Sequence, residues 1–163
     1  MAAAGSNRPV IRFAPLMQAD PRDLASHMRD PRIRTHLPLL TGEWDEAAQA
    51  RFLSAKQARW DEDGLGHWAI FADGAYAGWG GFEREGDAWD FGLVLKPECF
   101  GLGPRILRQA LAFARNDPRI ATVTFLLAPS RSNLSALKRM GARPDGELVH
   151  AGQQFLRFRL DPC

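Results

Sequence analysis

The stretch KPECFGLGPRIL, Lys96 to Leu107, sets two glycines and a proline between an apolar run and a helix-like run. Upstream, WDFGLVLK (Trp89 to Lys96) is almost continuously apolar, as a central strand buried on both faces would be. Downstream, Ile106, Leu107, Ala110, Leu111 and Ala114 fall on one helical stripe that Pro118 brings to a stop. A strand that passes straight through a glycine bend into a helix leaves the helix's first N–H groups pointing at the bend. Those donors, with the positive end of the helix dipole, form an anion site. Gly101 and Gly103 have no Cβ, so a phosphate can approach the backbone closely. Pro104 fits because the N–H it lacks falls at the first helical position. Arg105 offers its own N–H and a guanidinium. The same residues also suit the plain ending of a strand, and the stretch by itself leaves both readings open.

Working outward, RPVIRFAPL (Arg8 to Leu16) alternates as a first strand ending at Pro15. In ADPRDLASHMRDP, Asp20 is placed as an N-cap, Pro21 at the first helical position and Pro31 as the stop. The spacing predicts a second helix from Thr41, with Trp44, Ala47, Ala48, Phe52, Ala55 and Ala58 as its apolar stripe, ending at DEDGLG. Between His67 and Pro97 the period changes to three strand-like runs, separated by turns at Asp73-Gly74 and Glu85-Gly86-Asp87. After the bend and its helix come the β-branched run IATVTFLLAP, a short helix in SRSNLSALKRMGA ending at Gly141, and a closing hairpin in ELVHAGQQFLRFRL. The expected order is β-α-α-β-β-β-α-β-α-β-β, a mixed α/β fold with a mostly antiparallel sheet of about six or seven strands and about four helices.

At 163 residues, with no linker, repeat or low-complexity tract, the chain reads as a single domain over 1–163, its first seven residues taken as a flexible lead. The composition is that of an ordinary soluble protein, 45% hydrophobic and 25% charged, and no window approaches the roughly 18 apolar residues of a membrane span. A cytoplasmic location is the expectation. Cys99 and Cys163 could pair but lack companions at metal-ligand spacing, so no metal is expected. Of the 21 Lys and Arg residues only Lys56, Lys96 and Lys138 are lysines. The arginines are scattered rather than clustered, which argues against a nucleic-acid protein.

The order and spacing of these segments resemble the GNAT superfamily of acyl-CoA N-acyltransferases along essentially the whole chain. Glu98-Cys99-Phe100-Gly101-Leu102-Gly103 is similar to the family's Q/R-x-x-G-x-G/A loop, and DFGLVLKPECFGLG to the strand and loop of its ribosomal-protein N-terminal acetyltransferase branch. MRDPRIRTHLP, HWAIFADGAYAGWGGF and SRSNLSALKRMGA also resemble that branch. The resemblance implies acetyl-CoA as co-substrate, with its pyrophosphate on the backbone of Phe100, Gly101, Leu102, Gly103 and Arg105. The strand before the loop should splay from its neighbour, so that Leu93, Val94 and Leu95 pair with the pantetheine arm and the Val94 or Leu95 amide holds the oxyanion. Ser130 or Asn133 would complete the cofactor site. Three positions depart from the pattern. Glu98 replaces the loop's Gln or Arg, Ser130 stands where the family has Asn, and Leu137 stands where many members have an acid-donating tyrosine.

Direct attack of an amine on a thioester needs a base, oxyanion donors and a proton for the thiolate. Asp90 lies on the strand face of Gly92 and Val94 inside an apolar run, which suits a carboxyl whose proton affinity is raised. Pairing with an arginine at a strand edge is the other reading of it. Glu83 is the second candidate base, although EREGD reads as a solvated hairpin, and Ser135 is the candidate proton donor. His67, His27 and His150 read as packing or surface residues, while His36 borders the acceptor cleft in similar proteins. Trp79 and Trp89 are expected in the core or along an acceptor channel. The acceptor is a primary amine, and the acids Glu43, Asp45, Glu46, Asp61, Glu62 and Asp63 fit either a wall for a cationic acceptor or a solvated helix face. The alternative function is a non-catalytic acyl-CoA-binding sensor or scaffold. QQFLRFRL alternates well enough to pair across a two-fold axis, so a homodimer is a possible assembly.

Overall fold

The computed structural model describes residues 8–35, 37, 42–128 and 134–162. His36, Thr41, Ser130, Asn133, Cys163 and residues 1–7, all singled out above, lie outside them. Seven strands form one sheet in the order β1-β2-β3-β4-β5-β7-β6. They are β1 (Ile11–Pro15), β2 (His67–Ala72), β3 (Ala75–Glu85), β4 (Ala88–Leu95), β5 (Val123–Leu127), β6 (Arg143–His150) and β7 (Gln153–Leu160). Among the described residues five α-helices accompany them: α1 (Pro21–Arg29), α2 (Pro31–Arg34), α3 (Glu46–Asp63), α4 (Gly103–Arg115) and α5 (Leu134–Arg139). All pairings are antiparallel except β4 with β5.

Local chemistry accounts for most of these boundaries. Asp20 caps α1 by accepting the Arg22 N–H at 2.8 Å. Pro31 does more than stop that helix. Asp30 ends α1 and also accepts the Arg32 N–H, so that Pro31 opens the four-residue α2 that the sequence had not announced. The next helix begins at Glu46 rather than near Thr41, because the Asp45 carboxylate accepts the Ala48 N–H at 2.7 Å. Asp73 and Gly74 both take positive φ (+48° and +80°), the geometry of a two-residue hairpin, and join β2 to β3 as expected.

The sheet carries apolar packing on both faces. On one side α4 lays Ala110, Leu111 and Ala114 over Trp68, Phe82, Trp89, Phe91 and Phe125, with Leu137 of α5 in the same layer, and Ile106 over Ile70 and Leu95. On the other, α1 and the segment before α3 set Leu24, Met28 and Trp44 against Ala69, Phe71, Trp79 and Val94. The expected stripe on α3 holds only in part. Trp44, Ala48 and Phe52 pack inward, but Ala47, Ala55 and Ala58 are exposed, and Leu53, Lys56 and Trp60 complete the inward side of the helix, none of its residues fully buried. One further expectation fails here. β7 has β5 on one side and β6 on the other, so its edges are filled and it cannot pair across a two-fold axis. Trp89 takes the core reading of the two expected for it: it lies on the α4 side, where its indole N–H bonds the Arg119 carbonyl.

Candidate active site

Strands β4 and β5 pair only at Trp89–Val123, Asp90–Thr124 and Phe91–Phe125. Beyond Phe91 they part. Gly92 to Leu95 keep their ladder with β3 on one side, and Leu126 and Leu127 keep theirs with β7. A wedge therefore opens in the middle of the sheet. This is why Gly92, Leu93 and Val94 are half-buried rather than sealed on both faces, as a continuous central strand would be. The backbone of Leu93, Val94 and Leu95 borders the wedge.

The glycine bend stands at the mouth of this wedge. Lys96 donates its N–H to the Ala77 carbonyl at 2.8 Å, anchoring the bend to β3. Residues Pro97 to Leu102 then make 3-10 turns, and α4 begins at Gly103 without a side-chain cap. The Gly103 N–H bonds the Phe100 carbonyl and Pro104 has none, which leaves the Arg105 N–H as the first-turn donor facing the bend. Neither glycine is there for the fold. Gly103 has ordinary helical φ and ψ (−51°, −53°), and a Cβ on it would meet only Leu95 Cδ1 at 3.8 Å. A Cβ on Gly101 would meet nothing within 4 Å. Beside them one terminal nitrogen of Arg105 is buried with no hydrogen-bond partner. Glu98, the carboxylate in this loop, has a side chain 62% exposed and turned toward the Arg32 guanidinium of α2 at 3.8 Å.

Behind the wedge, on the α3 side, lies a polar cluster. Asp90 accepts the Thr124 hydroxyl at 3.0 Å, and burial pushes its carboxyl up to about 7 against the opposing pull of that hydrogen bond. Glu85 and Glu83 add like-charge repulsion. Glu83 stands opposite Asp90 on β3, and it is no solvated hairpin residue: its side chain is 17% exposed, with both carboxylate oxygens 3.1 and 3.2 Å from Lys56 Nζ. Lys56 is 14% exposed. Its Nζ is 3.0 Å from His67 Nδ1 and lies over the Trp79 ring, 5.2 Å from the centroid. An ammonium only donates, so His67 Nδ1 accepts and its proton sits on Nε2. Burial first, then the charges of Lys56 and Arg59, holds His67 well below the usual histidine range. The ring closes against the wedge, since a Cβ on Gly92 would stand 3.6 Å from its Cε1 and Nε2.

The other sequence candidates are dispersed. Ser135 is exposed on α5, and no contact among the described residues joins it to this cluster. Leu137 is buried in the α4-side core. Tyr76, the sole tyrosine, is buried against His27, with its hydroxyl 2.7 Å from His27 Nδ1, and burial raises its proton affinity further. Burial also raises the Cys99 thiol, which keeps it protonated and a poor nucleophile. Of the six acids, Glu43, Asp45, Glu46, Asp61 and Glu62 are exposed, as on a solvated helix face, and Asp63 is half-buried. Lys56 was counted among the lysines but given no role, Thr124 was not singled out, and His67 was read as a packing or surface residue. A lysine at an inward helical position was the available signal for the first, but the partly displaced stripe on α3 hid it.

Comparison with known proteins gives the same picture. A family model described as an acetyltransferase (GNAT) domain matches residues 11–143. No curated protein matches by sequence. Among solved structures, an acetyltransferase from Agrobacterium tumefaciens superposes with a TM-score of 0.72 at 20% identity, over 94% of this chain and 91% of that one. An aminoglycoside acetyltransferase in complex with coenzyme A gives 0.74 at 14% identity, over 93% and 95%. A spermidine N-acetyltransferase from Vibrio cholerae, in complex with coenzyme A and spermine, gives 0.72 at 12% identity over the same shares. Among the described residues no group of His, Cys, Asp and Glu could hold a metal ion, and no helix is long and apolar enough to cross a membrane.

Proposed function

We propose how this chain works from what it is: it belongs to the GNAT acetyltransferase family, whose model covers most of it, and it is an N-acetyltransferase. Its co-substrate is acetyl-CoA and its acceptor a primary amine, either a protein N-terminus or a small molecule, attacked directly. The likeness to the ribosomal-protein N-terminal branch favours the N-terminus. One domain over 1–163, acting in the cytoplasm, carries the reaction.

The single observation behind this reading is the pairing of an opened β4–β5 wedge with a bend whose two glycines the fold does not need. Glycine at such positions is explained by a ligand that comes closer to the backbone than a Cβ would allow. Phosphate oxygens fit that description, and the partnerless Arg105 nitrogen fits their charge. The pyrophosphate is held by Phe100 to Gly103 and by Arg105, with Ser130 and Asn133 kept from the sequence reading as further cofactor contacts. The pantetheine arm adds to the free side of β4 at Leu93, Val94 and Leu95. The acceptor approaches from the α3 side, where Asp90 takes the ammonium's proton. The amine nitrogen then bonds the carbonyl carbon while the Leu95 N–H steadies the oxygen. Of the two expected donors Val94 is the less suited, since the alternation that sends the Trp89 N–H to Thr122 and the Lys96 N–H to Ala77 turns its N–H toward β3. The C–S bond breaks, the nitrogen gives its second proton to solvent as the amide forms, and the thiolate takes a proton from water or from Ser135, which water then reprotonates.

Calorimetric titration with acetyl-CoA tests the reading, using the native protein and Gly103→Val. Micromolar binding that the variant loses supports it, and absence of binding to folded native protein overturns it. An amine screen for CoA release then follows. Binding without release for any amine would make the chain an acyl-CoA-binding module instead.

A further inference from the structure

The wedge and bend account for Asp90 and the loop, but not for a lysine buried behind them. We propose that Lys56 is a positioning residue that assigns the proton within the Asp90–Glu83 pair: by keeping its ammonium on Glu83, it leaves Asp90 as the one carboxyl that exchanges the proton. The proposal rests on the reading of Asp90 as base given above.

The geometry points this way from three sides. Asp90 and Glu83 are directly opposed on one face of the β3–β4 ladder, a spacing at which two buried carboxylates repel. Lys56 reaches both oxygens of Glu83, while the partner of Asp90 is the neutral Thr124 hydroxyl. Lys56 Nζ lies over the Phe52 and Trp79 rings, 5.4 and 5.2 Å from their centroids, and is also tied to His67 Nδ1. A surface ammonium would be free to swing; this one is fixed to one carboxylate.

The charged and titratable groups around Asp90 are few. From β3 come Glu83 and Glu85, and Glu85 is paired with Arg59 of α3 at 3.6 Å. From β2 comes His67, neutral and protonated on Nε2. From α3 come Lys56 and Arg59, and from β5 only Thr124. Arg159 of β7, next along the same cross-strand row, turns to Thr122 and Asp161. Among the described residues Glu85 and Glu83 are therefore the two carboxylates that act on Asp90, and Glu83, its cross-strand partner, is the one that Lys56 holds. Without the ammonium, a proton entering the pair is shared between the two carboxyls, and their titrations become coupled.

The test follows the Asp90 carboxyl carbon by nuclear magnetic resonance across pH 5 to 9, with carbon-13 aspartate in the native protein, Lys56→Met, Lys56→Gln and Lys56→Arg. Asp90→Asn identifies the signal. In the native protein a single step at about 7 is expected. In Lys56→Met and Lys56→Gln the step should spread into two, with part of the change displaced by a pH unit or more. Lys56→Arg should restore the single step. Superposable titrations in all four proteins overturn the proposal, as does an Arg variant that titrates like the Met variant. A native Asp90 that titrates in the ordinary carboxylate range overturns the base reading instead, so the two failures are told apart. Acetyl-CoA titration of each variant confirms an intact fold and cofactor site.

Discussion

Asp90 and Glu83 face one another across the β3–β4 ladder, and of the two it is Glu83 that carries a counterion, the Lys56 ammonium at 3.1 Å. The unequal pair has a thermodynamic consequence as well as a chemical one. A carboxyl kept buried beside a second carboxylate costs stability whenever it ionises.

Asp90→Asn is expected to abolish turnover and stabilise the protein at the same time. The folded-state value of about 7 lies above the ordinary 3.8 of an aspartate, so the folded state binds the extra proton between roughly pH 4 and 7. The stability this gives is complete below about 4 and is lost as pH rises through 7. Asparagine has no such loss and keeps an oxygen to accept the Thr124 hydroxyl. The variant should exceed the native protein at pH 8 by roughly 1–4 kcal/mol, with the gap closing toward pH 4. Urea unfolding at pH 8 and pH 5 measures it, and a variant less stable than native at pH 8 would contradict it.

The histidines give the opposite slope. His27 and His67 are both buried, and burial lowers both below the usual 6.5, so the unfolded chain binds their protons first. Their contribution is present above about 6.5 and is lost as pH falls below it. In the native protein the Asp90 term offsets part of this loss; in Asp90→Asn nothing does. Acid destabilisation between pH 7 and 5 should therefore be steeper in Asp90→Asn than in native protein, a comparison that a series of urea midpoints decides.

Two groups of glycines should respond differently to the same kind of change. A Cβ on Gly80 would lie 2.3 Å from the Gly92 carbonyl oxygen, so Gly80→Ala should cost roughly 1–3 kcal/mol or more of stability. Gly103→Val meets only Leu95 Cδ1 and should leave stability within about 1 kcal/mol while weakening acetyl-CoA binding at least about tenfold. If Gly103→Val unfolds the protein, the glycine belongs to the fold after all.

Much of this arrangement was legible in the chain. The strand-bend-helix passage at Lys96 to Leu107, the two tight hairpins and the face shared by Asp90, Gly92 and Val94 are local patterns, and periodicity and turn chemistry report local patterns well. The failures came where distant segments decide. The α3 stripe was partly misplaced because its alanines fit a helical period on either of two adjacent sides, and only the sheet beneath selects the side with Phe52 and Lys56. Glu83 looked solvated because its sequence neighbours are polar, yet a lysine 27 positions earlier covers it. β7 looked like an edge because no local signal tells that β6, which precedes it, takes the outer place.

Arg105 gives the sharpest separation between a residue kept for the fold and one kept for a ligand. One of its terminal nitrogens is buried without a partner, and a buried donor left unmatched costs stability in the free protein. Arg105→Met retains most of the apolar stem and removes that nitrogen, so the free protein should keep or slightly raise its melting temperature. A hydrogen bond from a guanidinium to a phosphate is worth about 1.5–3 kcal/mol, which converts to roughly a 10- to 100-fold loss of acetyl-CoA affinity. The rise in melting temperature that saturating acetyl-CoA gives the native protein should shrink accordingly in the variant. Equal ligand-induced shifts in the two proteins would remove Arg105 from the cofactor site. A destabilised free variant would instead mean that its guanidinium serves the packing beneath α4.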